Sequence, residues 1–170
     1  MTKNNFTETK EQYNERHKRI DEAEKIQAEE SQKKPYTRKD TGELIVITRA
    51  RSFSKYVLNV TRSMPKDFRF VISANMQRLA LSVLENLIRA NGVNVKPNNT
   101  KAWQKRFDYQ TQASADLQVL EYLAAYAYEE KAILNKQFVQ ISKQGAEVAH
   151  FLSAWKQSDA RRFAINIGGN

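Results

Sequence analysis

Apolar residues return every three or four positions through most of the chain, and the pattern resolves into four long stripes. The most regular is FRFVISANMQRLALSVLENLIRANG, residues 68–92. Phe68, Ile72, Met76, Leu79, Val83, Leu87 and Ile88 recur there at steps of three and four, which at 3.6 residues per turn places them on one helix face. A helix of about 24 residues is about 36 Å long, so partners of similar length must cover its stripe. Asn91-Gly92 supplies the stop, with Gly92 expected in the left-handed conformation that closes a helix C-terminus.

Ile47, Ala50, Phe53, Val57, Val60 and Met64 form a second stripe and predict a helix over about Thr48–Ser63. The segment Leu44-Ile45-Val46-Ile47 also suits a short strand by its β-branched content. Pro65 fits the first turn of the helix that follows, where its missing N–H costs nothing. Trp103, Phe107, Ala113, Leu117, Leu120, Ala124 and Ala127 carry a third helix, capped by Asn99 or Thr100. The fourth runs from about Asn135 through Phe138, Ile141, Val148, Leu152 and Trp155, with Asn135 as cap and Leu134 packing across it. Four such helices on short connections predict an all-α fold, an antiparallel up-down-up-down four-helix bundle over residues 44–158. Its core is expected to hold Phe53, Val57, Met76, Leu79, Val83, Leu117, Leu120, Ile141, Leu152 and Trp155.

Both ends read differently. Residues 1–43 form an arm rich in Glu, Lys, Gln and Asn, with a thin apolar seam of Phe6, Tyr13, Ile20, Ala23 and Ile26, which suits either a solvated helix or a coiled-coil contact. Lys33–Glu43, with Pro35, Asp40 and Gly42, reads as the linker. Residues 159–170, containing Arg161, Arg162 and a terminal Gly-Gly-Asn, read as a flexible tail.

The 170 residues suffice for one domain with extensions. Cysteine is absent, which excludes disulfides and thiolate metal sites, and there is no long apolar run to serve as signal peptide or membrane span. A soluble cytoplasmic protein without cofactors is expected. The formal net charge is +9, and it is unevenly spread. Residues 1–43 carry ten basic and ten acidic side chains, leaving 18 of the 28 basic and 9 of the 19 acidic ones on residues 44–170. The predicted bundle therefore holds the whole excess, and such an excess attracts polyanions, nucleic acid first among them.

Catalytic patterns are weak. No glycine-rich phosphate loop exists, and a nucleophile triad would have to draw on His17 in the arm or His150 in the last helix. Glu147-Val148-Ala149-His150 has the Glu-x-x-His spacing of di-iron bundles, but those sites need a second such pair and two more inward carboxylates. Only Glu85 and Glu121 offer themselves on the middle helices, both off the apolar stripes, so no metal site and no enzyme is expected.

Two further patterns remain. Val119, Tyr122, Leu123 and Tyr126 lie away from the core direction of the third helix, and Val139, Ala146 and His150 make a smaller second face on the fourth. Such stripes are covered either by the N-terminal arm or, since tyrosines suit interfaces, by an oligomer contact, for which Val119, Tyr122, Tyr126, Val139 and His150 are the candidates. Arg51, Lys55 and Arg62 on the first helix, and Arg78 with Arg89 on the second, fall opposite their core stripes with few acids between them. A merely solvated surface mixes both signs.

The succession MPKDFRF, NMQRLALSVLENLIRAN, a polar loop, LQVLEYLAAYA and KQFVQISKQGAEVAHFLSAWKQSD resembles the bacterial four-helix-bundle family of accessory variability determinant (Avd) proteins. These accompany reverse transcriptases in diversity-generating retroelements, and related bundles are encoded by intervening sequences in large-subunit ribosomal RNA genes. The resemblance spans roughly Ile47 to Asp159 and is best at Pro65-Lys66, Arg69-Phe70, Leu152 and Trp155. Where the family often carries glycine before that tryptophan, this chain has Ser153-Ala154, and two turns earlier Ala149 and His150. The resemblance implies a homopentameric, basic, barrel-like assembly that binds a reverse transcriptase and its template RNA and catalyses nothing itself. It offers Arg49, Arg51, Lys55, Arg62, Lys66, Arg69, Arg78 and Arg89 for polyanion contact. The alternative expectation is a structural or adaptor bundle that docks a protein through its exposed apolar stripes.

Overall fold

The computed structural model describes residues 45–96 and 99–168, together with Glu11, Asn14, Glu15, Lys18, Arg19, Asp21, Glu22 and Lys25. The rest of the predicted arm and linker lies outside the described residues. The chain divides into two compact units, Met1–Thr37 and Arg38–Asn170. In the first, the described residues are helical and exposed, and Arg19 pairs with Glu15 one turn earlier.

In the second unit the described residues form four α-helices and no strand: α1 (Ile45–Arg62), α2 (Ala74–Gly92), α3 (Thr100–Glu129) and α4 (Asn135–Gly168). Ile45, Val46 and Ile47, which also suited a strand, are the first turn of α1, with Val46 and Ile47 buried. α1 packs on α2 and α4, and α3 packs on α2 and α4, so every helix has two neighbours. Contacts between helices adjacent in sequence run in opposite chain directions. Ser54 Oγ donates to the Ala80 carbonyl at 2.7 Å, and Gln77 Nε2 donates to Thr61 Oγ1 at 2.8 Å. Ser82 of α2 reaches Asp116 of α3, whereas Val93, past the end of α2, meets Arg106 near the start of α3.

The expected core residues Phe53, Val57, Met76, Leu79, Val83, Leu117, Leu120, Ile141 and Leu152 are all buried, and Trp155 is half-buried against them. Large fully buried side chains of this kind give the fold most of its stability, at about 25 cal/mol for each Å² of apolar surface removed from water. Ile88, expected on this stripe, is exposed, because Leu87 takes the inward position one step earlier. Leu123, assigned to the second stripe of α3, packs partly against the core.

The helix expected to run unbroken from Phe68 changes its winding on the way. Pro65 precedes a 3-10 turn at Lys66–Phe68, a π-helical turn follows at Arg69–Ser73, and only then does α2 begin. The wide π turn lets Ile72 and Ser73 both face inward, where Ser73 Oγ donates to Met64 Sδ at 2.9 Å. Phe70 and Val71 are left outside.

Three end signals resolve differently from expectation. Gly92 does not adopt a left-handed backbone; α2 ends because Val93 turns extended, at φ −73° and ψ 116°. Asn99, by contrast, caps α3 as expected, its side-chain oxygen accepting from the Ala102 N–H at 3.1 Å. α4 is capped not by the Asn135 side chain but from within the helix, since Gln137 Oε1 accepts the Leu134 N–H at 2.8 Å. The expected flexible tail from residue 159 is instead the last part of α4, which runs to Gly168 with Asp159 wholly buried.

Lys131, between α3 and α4, has φ 57° and is the one non-glycine residue with positive φ among those described. Its N–H donates to the Tyr128 carbonyl at 2.9 Å, and that of Ala132 donates to Ala127 at 2.8 Å. This is the paired closure that ends a helix through one left-handed residue, a place where glycine carries no Cβ penalty. Lys131→Gly should therefore stabilise the fold by about 0.5–1 kcal/mol, measured by urea denaturation. An unchanged or lowered midpoint would contradict the assignment.

Candidate nucleic-acid interface

All eight cations expected to meet a polyanion are exposed. Arg51, Lys55 and Arg62 are four and seven residues apart, so they fall on one side of α1. Arg78 and Arg89, eleven apart, likewise share a side of α2. Lys66 stands in the 3-10 turn and Arg69 in the π turn, at the end of the hairpin made by α1 and α2.

Their electrostatic situations differ. Arg49 turns toward α4, where its Nε lies 3.2 Å from Glu147, so it is set apart from the Arg51 row. Arg89 pairs with Glu85 one turn back; that carboxylate, and the Tyr109 hydroxyl, hold its guanidinium above the ordinary range. The side chains of Arg51, Arg62, Lys66, Arg69 and Arg78 make no ion pair or hydrogen bond among the described residues. Their charge is uncompensated locally, and it projects into solvent over a Debye length of roughly 8 Å at physiological salt.

Of the residues expected at an oligomer contact, Val119, Tyr122 and Tyr126 are exposed on α3, and Val139 and His150 on α4. Tyr122 is 79% exposed. The His150 ring stands edge-on to Phe151, with centroids 5.5 Å apart. Glu147 of the Glu-x-x-His motif faces Arg49, and among the described residues no three His, Asp or Glu side chains gather as metal ligands would.

A shallow groove between α3 and α4 is lined by Ser114, Leu117, Gln118 and Glu121 facing Ala149, Leu152, Ser153 and Lys156. Burial raises the Glu121 carboxyl above its ordinary range. Gly145 gives that side chain its room, since a Cβ there would meet Glu121 Oε1 at 2.7 Å.

Two buried polar clusters escaped the sequence reading. Asp116 accepts from Ser82 Oγ at 2.6 Å, Gln112 Nε2 at 2.9 Å and Asn86 Nδ2 at 3.3 Å, which ties α3 to α2. Asp159 accepts from Gln110 Nε2 at 2.8 Å and lies 3.5 Å from Arg106 Nη1, while Arg106 Nη2 donates to the Val93 carbonyl at 2.8 Å. Arg106 also lies over the Trp155 ring at 5.8 Å; Trp103 stacks on Phe107, and Phe163 meets both, tilted against Trp103 and edge-on to Phe107. The signal was present in the spacing: Trp103, Arg106, Gln110 and Ala113 advance by three and four, as do Leu152, Trp155, Asp159 and Phe163. Arginine, glutamine and aspartate at these inward steps carry no apolar mark, so the apolar pattern alone does not reveal them.

No protein-family model matches this chain, and no curated protein matches it in sequence. No helix among the described residues is long and apolar enough to cross a membrane.

The Asp159 network generates a stability test. Asp159→Ala leaves the Arg106 guanidinium buried without its carboxylate and should cost about 3–5 kcal/mol. Replacing both, with Arg106→Met and Asp159→Leu, should recover most of that loss, because two desolvated charges are removed together. Denaturant melts of the three proteins check it; a single variant as stable as the parent would contradict the ion pair.

Proposed function

We propose that the protein is a non-catalytic, cytoplasmic RNA-binding accessory subunit, built as an up-down-up-down four-helix bundle of the Avd-like kind. In this reading structured RNA meets Arg51, Lys55, Arg62, Lys66, Arg69 and Arg78 on the outer side of α1 and the start of α2. Arg49 and Arg89, already paired with acids, contribute less. The observation that carries the reading is the set of exposed cations on α1, the turns that follow it and α2, of which Arg51, Arg62, Lys66, Arg69 and Arg78 are locally uncompensated among the described residues, with the whole net charge of +9 on residues 44–170. Phosphate contact of this type supplies affinity without reading sequence, and it suits a rigid helical surface. The family resemblance extends the proposal to a homopentamer that works beside a reverse transcriptase. An adaptor role is the second reading, favoured by exposed Tyr122, Tyr126 and Val119 on α3.

If these cations neutralise phosphates, log affinity falls linearly with log salt, by roughly 0.7 for each single-strand contact. Reversing Arg51, Lys55 and Arg62 to Glu should flatten the slope by about two units, and deleting residues 1–43, which are charge-balanced, should change binding little. Fluorescence anisotropy with a structured RNA between about 50 and 200 mM salt measures both. A parent protein without binding at the lowest salt ends the RNA reading.

Self-association is tested separately by light scattering at micromolar concentration. The expected mass is a multiple of 19.7 kDa, lowered by Tyr122→Glu with Tyr126→Glu. A monomer at every concentration rules out the oligomer.

A further inference from the structure

α2 carries an apolar row that the core does not use. Ala74, Leu81 and Ile88 recur every seven residues and so share one side of the helix; all three are exposed, Leu81 by 48% and Ile88 by 53%. Phe70, 82% exposed, extends the row by one turn through the π segment. In helical projection the row lies on the α1 side of the outer surface. Gln77, which bonds Thr61 of α1, projects close to it, whereas Ser82 and Asn86, which reach Asp116 of α3, project across the helix.

On α1, Arg51, Lys55 and Arg62 project about a quarter turn outward from Ser54 and Thr61, the residues that touch α2. The Ser54–Ala80 and Thr61–Gln77 bonds set the register, which brings Lys55 level with Leu81, Arg51 level with the Leu84–Ile88 turn and Arg62 level with Ala74. A line of cations thus runs beside the apolar row, and Arg78 and Arg89 border its other side.

We propose that this outer face of α1 and α2 docks an acidic amphipathic helix of a protein partner. Its apolar side would lie along Phe70, Leu81 and Ile88, and its carboxylates would meet Arg51, Lys55, Arg62 and Arg78. The seven-residue recurrence is the period with which one helix packs along another, and Ala74 to Ile88 spans about 21 Å, or about four turns of a partner helix. Phosphates alone would account for the cations but not for Leu81 and Ile88, which offer nothing to a phosphate. The site shares cations with the proposed RNA contact, but its apolar row is separate from it.

The test uses the full chain and a fluorescein-labelled peptide of about 18 residues, with Leu at helical steps of three and four, Glu on the flanks and Ala elsewhere. Anisotropy should show saturable binding below ~100 µM. It should weaken about tenfold with Leu81→Ser plus Ile88→Ser, and at least as much with the scrambled peptide of equal composition. Structured RNA should bind the Ser variant as it binds the parent, and matching thermal melts by circular dichroism establish that the variant is folded. Equal binding of the scrambled peptide, no effect of the Ser pair, or no binding at ~100 µM overturns the proposal. So does capture by phosphatidylglycerol vesicles that the Ser pair abolishes, which would make the row a lipid site, or loss of RNA binding in the Ser pair. Peptide binding that persists where RNA does not bind leaves this surface standing and removes only the RNA reading.

Discussion

A carboxylate with no exposed surface is tolerable only when its charge is met, and Asp159 is met by Arg106 and Gln110. The need for this arrangement comes from helix length. α1 and α2 have 18 and 19 residues, α3 and α4 have 30 and 34, so at 1.5 Å per residue the second pair is longer by roughly 16 to 24 Å. The overhanging ends must cover one another. They do so with Trp103 and Phe107 against Phe163, and with an ion pair whose other hydrogen bond reaches the Val93 carbonyl just past α2. Three chain segments are thereby held at one end by directional bonds, which fix relative rotation in a way that apolar contact alone does not.

The same logic of satisfied polarity governs the outside. Where a cation finds an acid, as Arg49 finds Glu147 and Arg89 finds Glu85, its field is largely spent within the molecule. Arg51 and Arg62 on α1, Lys66 and Arg69 in the turns before α2, and Arg78 on α2 find none among the described residues. The rigid core beneath them costs them little entropy on meeting a ligand, since the helices that carry them are already ordered. The RNA and partner-helix proposals both rest on that preorganisation, and they separate on whether the apolar row of α2 takes part.

Helix existence and the inward positions of Phe53, Val57, Met76, Leu79, Val83, Leu117, Leu120 and Leu152 were legible because each stripe repeats at the helical period for many turns. Three things were not. A π turn leaves no mark in apolar spacing, since Phe68 and Ile72 are four apart whether the winding is α or wider. A lysine at φ 57° contradicts the usual glycine signal, and its conformation is imposed by the paired bonds of Tyr128 and Ala127 around it. The extension of α4 was hidden because Asp159 and Arg161-Arg162 look solvated, and only a partner more than forty residues away in sequence makes the aspartate an interior group. For the candidate interface, residue type and spacing identified which cations share a side of each helix. The pairing of Arg89 with Glu85 lies within one helix at a spacing of four, whereas that of Arg49 with Glu147 depended on the neighbouring helix, and no single stripe contains that information.

The π turn at Arg69–Ser73 also makes the hairpin between α1 and α2 a place where chain length and surface orientation can be exchanged. Such a turn is one residue longer than the α-helical turn it replaces, and each α-helical residue advances by about 100°. Losing a single residue there would let the winding return to α without breaking α2, while Lys66, Arg69 and Phe70 would swing about a quarter turn relative to Leu81 and Ile88. A one-residue change in length, ordinarily ruinous inside a helix, would here act as a phase shift that re-aims one end of the surface and leaves the core from Met76 onward in place.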